Sequence, residues 1–257
     1  MSSTLTLRQK PEDEELLRKQ EELIALETEL IERELSLANL KASLSAFEGE
    51  YLRRVGTLYA ELDEIEAMIA ESVAKQARTP DNEKRATEAR EKAQESHSAA
   101  HGSAAQTKEF TPSPELKKLY REVAKKIHPD LASDEADRLN RDALMARANI
   151  AYENGDEEQL RQILAEYESS PDTVKGDGVA ADLVRTIRKI SQIKIRLEEI
   201  KSEIELLVAC ELNQLLKKAT ELKDGGRDLF DEMGESVKLK IAEATGILNN
   251  TRDHAGT

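Results

Sequence analysis

The chain has 257 residues, of which 35% are charged and only 3% aromatic, with no tryptophan and a formal net charge of -14. So acidic a chain lacks the basic footprint of a general nucleic-acid binder, and so few aromatics favour long helices over a large globular core. A single cysteine, Cys210, excludes an internal disulfide framework and fits a reducing compartment. The polar, then acidic start Met1 to Glu15 has no apolar segment of a secretory leader, and no apolar run reaches membrane-spanning length. The expectation is a cytoplasmic all-α protein with no membrane contact.

Residues 1–12 read as a disordered N-terminus and 13–73 as a coiled coil. Leu16, Leu23, Leu30, Leu37, Leu44, Tyr51, Leu58 and Ile65 recur every seven residues, accompanied by Leu26, Leu40 and Phe47 and then by Val55, Leu62 and Ile69. A sustained apolar heptad is a coiled-coil pattern, and one continuous helix over this span would reach roughly 90 Å. Such a helix cannot bury its own stripe, so it must pair with a second copy, with another part of the chain, or with a partner. The accompanying row moves from three to four residues after the main row, which predicts that the seam rotates.

Residues 74–112 read as a flexible linker. The stretch 74–109 has no Leu, Ile, Val or Phe and is rich in Ala, Glu, Lys, Ser and Gln, with partial helix expected only from Asn82 to Glu95. His97 and His101 stand four residues apart there without further ligands, so they read as solvated linker residues.

Residues 113–168 form a small module. Leu116, Leu119, Tyr120, Val123, Ala124 and Ile127 follow the spacing of a helix with one apolar face, Ser113 and Pro114 suit its start, and Pro129 ends it. Its outward positions carry Lys117, Lys118, Arg121, Lys125 and Lys126, a positive stripe in an acidic protein. A second helix has Leu139, Leu144, Met145, Ala148, Ala151 and Tyr152 as apolar positions and stops at Asn154-Gly155. Asp156 is then positioned to cap a third helix, with Gln159 as the return partner of a capping box, and Leu160, Ile163, Leu164 and Tyr167 supply its apolar face.

The series LKKLYREVAKKIHPD, followed by ALMARANIAYE, resembles helix II, the HPD loop and helix III of a J domain, the DnaJ-type co-chaperone module. The resemblance covers about a fifth of the chain. It implies that His128, Pro129 and Asp130, with the basic stripe Lys117, Lys118, Arg121, Lys125 and Lys126, dock on a DnaK-type chaperone ATPase and stimulate its ATP hydrolysis. It implies packing roles for Tyr120, Val123, Ala124, Met145, Ala148 and Tyr152. The residues before Ser113 do not supply the aromatic and leucine motif of the first helix usual in this family, so the Glu157 to Tyr167 helix is expected to cover that face.

Residues 169–178 read as a second linker, 179–249 as a C-terminal helical hairpin, and 250–257 as a disordered tail. Leu183, Ile187, Ile190, Ile193, Leu197, Ile200, Ile204 and Leu207 make a stripe that continues through Leu212 and Leu216. Lys223-Asp224-Gly225-Gly226 turns the chain, and Phe230, Met233, Val237, Ile241, Ala244 and Leu248 line the return.

The sequence therefore predicts long coiled-coil helices carrying a small, divergent J-domain-like module. The expected function is that of a co-chaperone with no catalytic residue, metal or cofactor of its own, its coiled coils serving homo-oligomerisation or an unknown client protein. The alternative is a coiled-coil scaffold or adaptor in which the J-like module is inactive.

Overall fold

The computed structural model describes residues 11–102, 110–132, 134–168 and 179–253. Among them every regular element is helical. In chain order these are α1 (Pro11–Tyr51), a π-helical turn (Leu52–Gly56), α2 (Thr57–Gln76), α3 (Pro80–His101), α4 (Pro114–Ile127), a 3-10 turn (Pro129–Leu131), α5 (Glu135–Glu153), α6 (Glu157–Glu168), α7 (Val179–Ala209), α8 (Glu211–Asp224) and α9 (Leu229–Asp253). The 169–178 linker lies outside the described residues, as do 1–10 and 254–257. Helix takes up the remainder of both expected tails, from Pro11 at one end and through Asp253 at the other.

The chain divides into two compact units, Met1–Ala42 with Phe110–Val208, and Ser43–Glu109 with Ala209–Thr257. In the first, the buried face of α4 is the stripe Leu116, Tyr120, Val123, Ala124 and Ile127. It packs on Leu144, Met145, Ala148, Ala151 and Tyr152 of α5. The pair is antiparallel: the Arg141 guanidinium donates to the Lys126 carbonyl at 2.8 Å, and the Tyr120 hydroxyl donates to Asn149 Oδ1 at 2.7 Å, so position rises on one helix as it falls on the other. Ser113 Oγ accepts from Leu116 N at 2.9 Å and caps α4. Gly155, at φ 67°, makes the left-handed turn out of α5. Asp156 Oδ1 accepts from Gln159 N at 2.9 Å and caps α6, whereas its own N–H goes to the Ala151 carbonyl at 2.8 Å rather than to Gln159 as a capping box would have it.

The α4/α5 pair needs a lid, and two elements provide it. Leu160 and Ile163 of α6 are fully buried against it, and Ile31, Leu35 and Ala38 of α1 are buried there too. Phe110 adds an edge-on ring 5.5 Å from Tyr152. Helix α6 thus covers the face expected of it, and α1 shares the work. Helix α1 carries a second stripe, Leu30 and Leu37, which packs on Ile193 and Ile200 of α7. The heptad thus finds a partner within its own chain.

In the second unit the rotation of the seam has a visible cause. The accompanying row changes spacing between Phe47 and Val55, the interval in which the π turn begins and takes in an extra residue. Phe47, Val55 and Phe230 are buried together, and Arg54 lies over the Phe230 ring at 5.1 Å while pairing with Asp228 and Asp231. Further along, Leu62 packs with Val237 and Ala244. Over 13–73 the backbone is helical without a break, α1 passing into α2 through the π turn.

Two further expectations change. Residues 80–101 of the expected linker are a formed helix, α3, capped by Thr79 and laid along α2. Its buried side chains are alanines, Ala93 and Ala100, and polar contacts supply the rest: Arg90 pairs with Glu64 and Glu71, and Lys92 and Ser96 both bond the buried Asp63. His97 and His101 stack at 4.3 Å on the exposed side of this helix. The C-terminal stripe is not one long arm of a hairpin. It breaks at Cys210, whose backbone is extended (φ -65°, ψ 153°) and whose Sγ accepts from Asn213 N at 3.4 Å, so α7 belongs to the first unit and α8 and α9 to the second.

Because Leu160 is fully buried between α6 and the α4/α5 pair, Leu160→Ala should cost about 2–5 kcal/mol. Urea denaturation followed by circular dichroism measures it, and a loss below about 1 kcal/mol would mean that α6 is not part of this core.

Candidate functional site

The tripeptide sits where α4 ends. Pro129 cannot continue the helix and holds His128 in an extended conformation (φ -60°, ψ 129°). The His128 N–H still reaches the Ala124 carbonyl at 3.0 Å, and Leu131 N and Ala132 N close the following 3-10 turn on the carbonyls of His128 and Pro129. Arg141 fixes the last turn from α5: it is buried, bonds Asp137 at 2.8 Å, satisfies the Lys126 carbonyl, and lies over the Tyr167 ring at 5.0 Å. Arg141 is thus a positioning residue for the loop.

The three side chains of the motif have different environments. His128 is only 1% exposed. Its Nδ1 accepts from Asp130 N at 3.2 Å, which puts the ring proton on Nε2, and that atom donates to Glu34 Oε1 at 3.2 Å. Pro129 and Asp130 are half-buried and border a cleft of about 430 Å³ that also touches Arg138, Gln192, Arg196 and Glu199. Asp130 Oδ2 is buried and has no hydrogen-bond partner among the described residues, and burial pushes its carboxyl above the usual aspartate range despite the nearby His128 and Arg196.

Glu34 joins the loop to two helices. Its Oε1 also accepts from Arg196 Nε and Nη2 on α7, both at 2.9 Å. Burial alone would raise this carboxyl. The hydrogen bond from His128 and the charge of Arg196 outweigh burial and hold it below the ordinary 4.5 of a glutamate. Two more contacts pin the loop: Leu131 packs in the apolar seam of α1 and α7, and Lys189 Nζ reaches the Leu131 carbonyl at 3.5 Å.

The basic stripe lies on α4 as expected, with Lys118 and Lys125 exposed and Lys117 and Lys126 half-buried. Arg121 departs from it, because its guanidinium pairs with Glu32 of α1 at 2.8 Å. Tyr120 and Tyr152 take the packing roles expected of them, and burial pushes the Tyr152 hydroxyl up to about 12, so it stays a neutral donor to Asn39 Oδ1 at 2.7 Å. Sequence reasoning missed Glu34 and Arg196. Their signal is faint: each is a lone charge beside apolar stripes, Glu34 next to Leu35 and Arg196 next to Leu197.

No group of three His, Cys, Asp or Glu side chains suited to a metal ion occurs among the described residues. No described helix is long and apolar enough to cross a membrane. No protein-family model, curated protein or solved structure matches this chain.

A depressed carboxyl stabilises the fold above its unfolded value and loses that contribution as pH falls through its folded value. Wild type should therefore melt above Glu34→Gln at neutral pH, and the gap should narrow as the pH drops below the ordinary 4.5. Thermal melts at a series of pH values test this, and a gap that does not change with pH would remove Glu34 as the source.

Proposed function

We propose that this protein is a J-domain-type co-chaperone that docks on a DnaK-type chaperone ATPase and stimulates its ATP hydrolysis. One observation carries the reading: His128-Pro129-Asp130 forms the turn between two antiparallel helices, α4 and α5, and the first of them presents Lys118 and Lys125 to solvent in a protein of net charge -14. A cationic helix face beside a loop with an under-satisfied carboxylate suits an acidic partner surface that offers its own hydrogen-bond donors. The protein supplies docking chemistry and leaves catalysis to its partner.

The heptad bears on what the rest of the chain does. Its stripe is largely occupied by α7 in one unit and by α9 in the other, so self-association through this stripe has little free surface to use. Client recognition by the helical arms goes with the co-chaperone reading. The burial of His128 favours a second reading, a helical scaffold in which the module is structural.

The two readings separate at Asp130. With the full chain at saturating concentration, wild type should raise single-turnover ATP hydrolysis by a DnaK-type chaperone from the same organism. Asp130→Asn, which keeps the shape and removes the charge, should return it to the unstimulated rate. Equal stimulation by both chains, or none by either, would falsify the co-chaperone reading.

A further inference from the structure

We propose that α1 and α7 hold the HPD loop in a masked state, with Glu34 as the clasp that joins His128 to Arg196. The proposal rests on the co-chaperone reading and adds its regulation. A docking histidine must offer its ring to the partner, yet the Nε2 proton of His128 is committed to Glu34 and the residue is 1% exposed. The cover comes from outside the α4/α5 pair, and it is made by two separate helices. Helix α1 supplies Glu34, and α7 supplies Arg196 and Lys189, which holds the Leu131 carbonyl.

The mask reaches the stripe as well. Arg121, part of the docking face, is paired with Glu32, two residues from Glu34 on the same helix. Release of α1 would therefore free His128 and Arg121 together.

The clasp is built to open. The Arg196 side chain is 31% exposed, so one edge of the ion pair is already wet, and the cleft beside Asp130 leaves the other side of the loop open. A partner that binds only the open state draws the protein toward it. Masking then raises the concentration needed for half-maximal stimulation and leaves the maximum unchanged.

The experiment compares full-length wild type, Arg196→Gln and Glu34→Gln, each shown by circular dichroism to be folded. Two readings are taken: the dose dependence of stimulation of the same chaperone, and the rate at which diethyl pyrocarbonate modifies His128 relative to the exposed His97 of the same molecule. In wild type, His128 should react at least tenfold more slowly than His97. The variants should weaken the charge-assisted bonding of the clasp, so their half-maximal concentration should fall about tenfold with the same plateau, while His128 modification speeds up in step. Asp130→Asn placed in the Arg196→Gln chain should abolish the gain.

Equal dose curves for wild type and both variants, or fast modification of His128 in wild type, would overturn the mask and leave the co-chaperone reading standing. Normal protection of His128 in wild type and its loss in the variants, with no stimulation by any chain, would overturn the co-chaperone reading and the regulatory role with it.

Discussion

A carboxylate buried among helices must be matched by donors, and in the first unit Glu34 organises the structure around that requirement. It is 5% exposed and takes its partners from the loop after α4 and from α7. Those partners are far apart in sequence, so the charge can be satisfied only when α1, the HPD loop and α7 are all in place. Apolar contacts bring these elements together without choosing a register. The directional bonds to Glu34 choose it.

The same helix therefore has two kinds of neighbour. Ile31, Leu35 and Ala38 complete the core of the small module, while Leu30 and Leu37 meet α7. Adjacent residues on a helix point about 100° apart, so the pairs 30/31 and 37/38 face different partners, and Glu34 falls between the two stripes. The module is consequently not a bead on a string. Part of its core belongs to a helix more than seventy residues upstream.

The all-helical class, the start of α4, its stop at Pro129 and the end of α5 at Gly155 were legible in the sequence because each depends on local chemistry: an apolar period, a capping hydroxyl, a ring without an N–H, a residue free to turn left-handed. The π turn was half legible, through the shift between Phe47 and Val55 relative to the main row. Helix α3 was legible only in part, as helix from Asn82 to Glu95 and not as a packed element, because the rules for a buried helix look for large apolar residues, whereas this one approaches α2 through alanines and a network centred on Asp63. The clasp was hidden for a similar reason: Glu34, His128 and Arg196 are ordinary residues until the fold brings them within 3.2 Å. Exposure of His128-Pro129-Asp130 is a tertiary property, and a tripeptide does not encode it.

The π turn also sets a limit on what lengths this chain can have. By inserting an extra residue at Leu52–Gly56, the helix changes the phase of everything after it, and Leu58, Leu62 and Ile65 pack toward α9 only because of that offset. A further one-residue insertion there would turn the following side chains by about 100° and carry Glu61 and Glu64 to the positions now held by Leu62 and Ile65. Substitutions around the turn are local events. An added residue is not, because it resets the face that every later turn of α2 shows to α9.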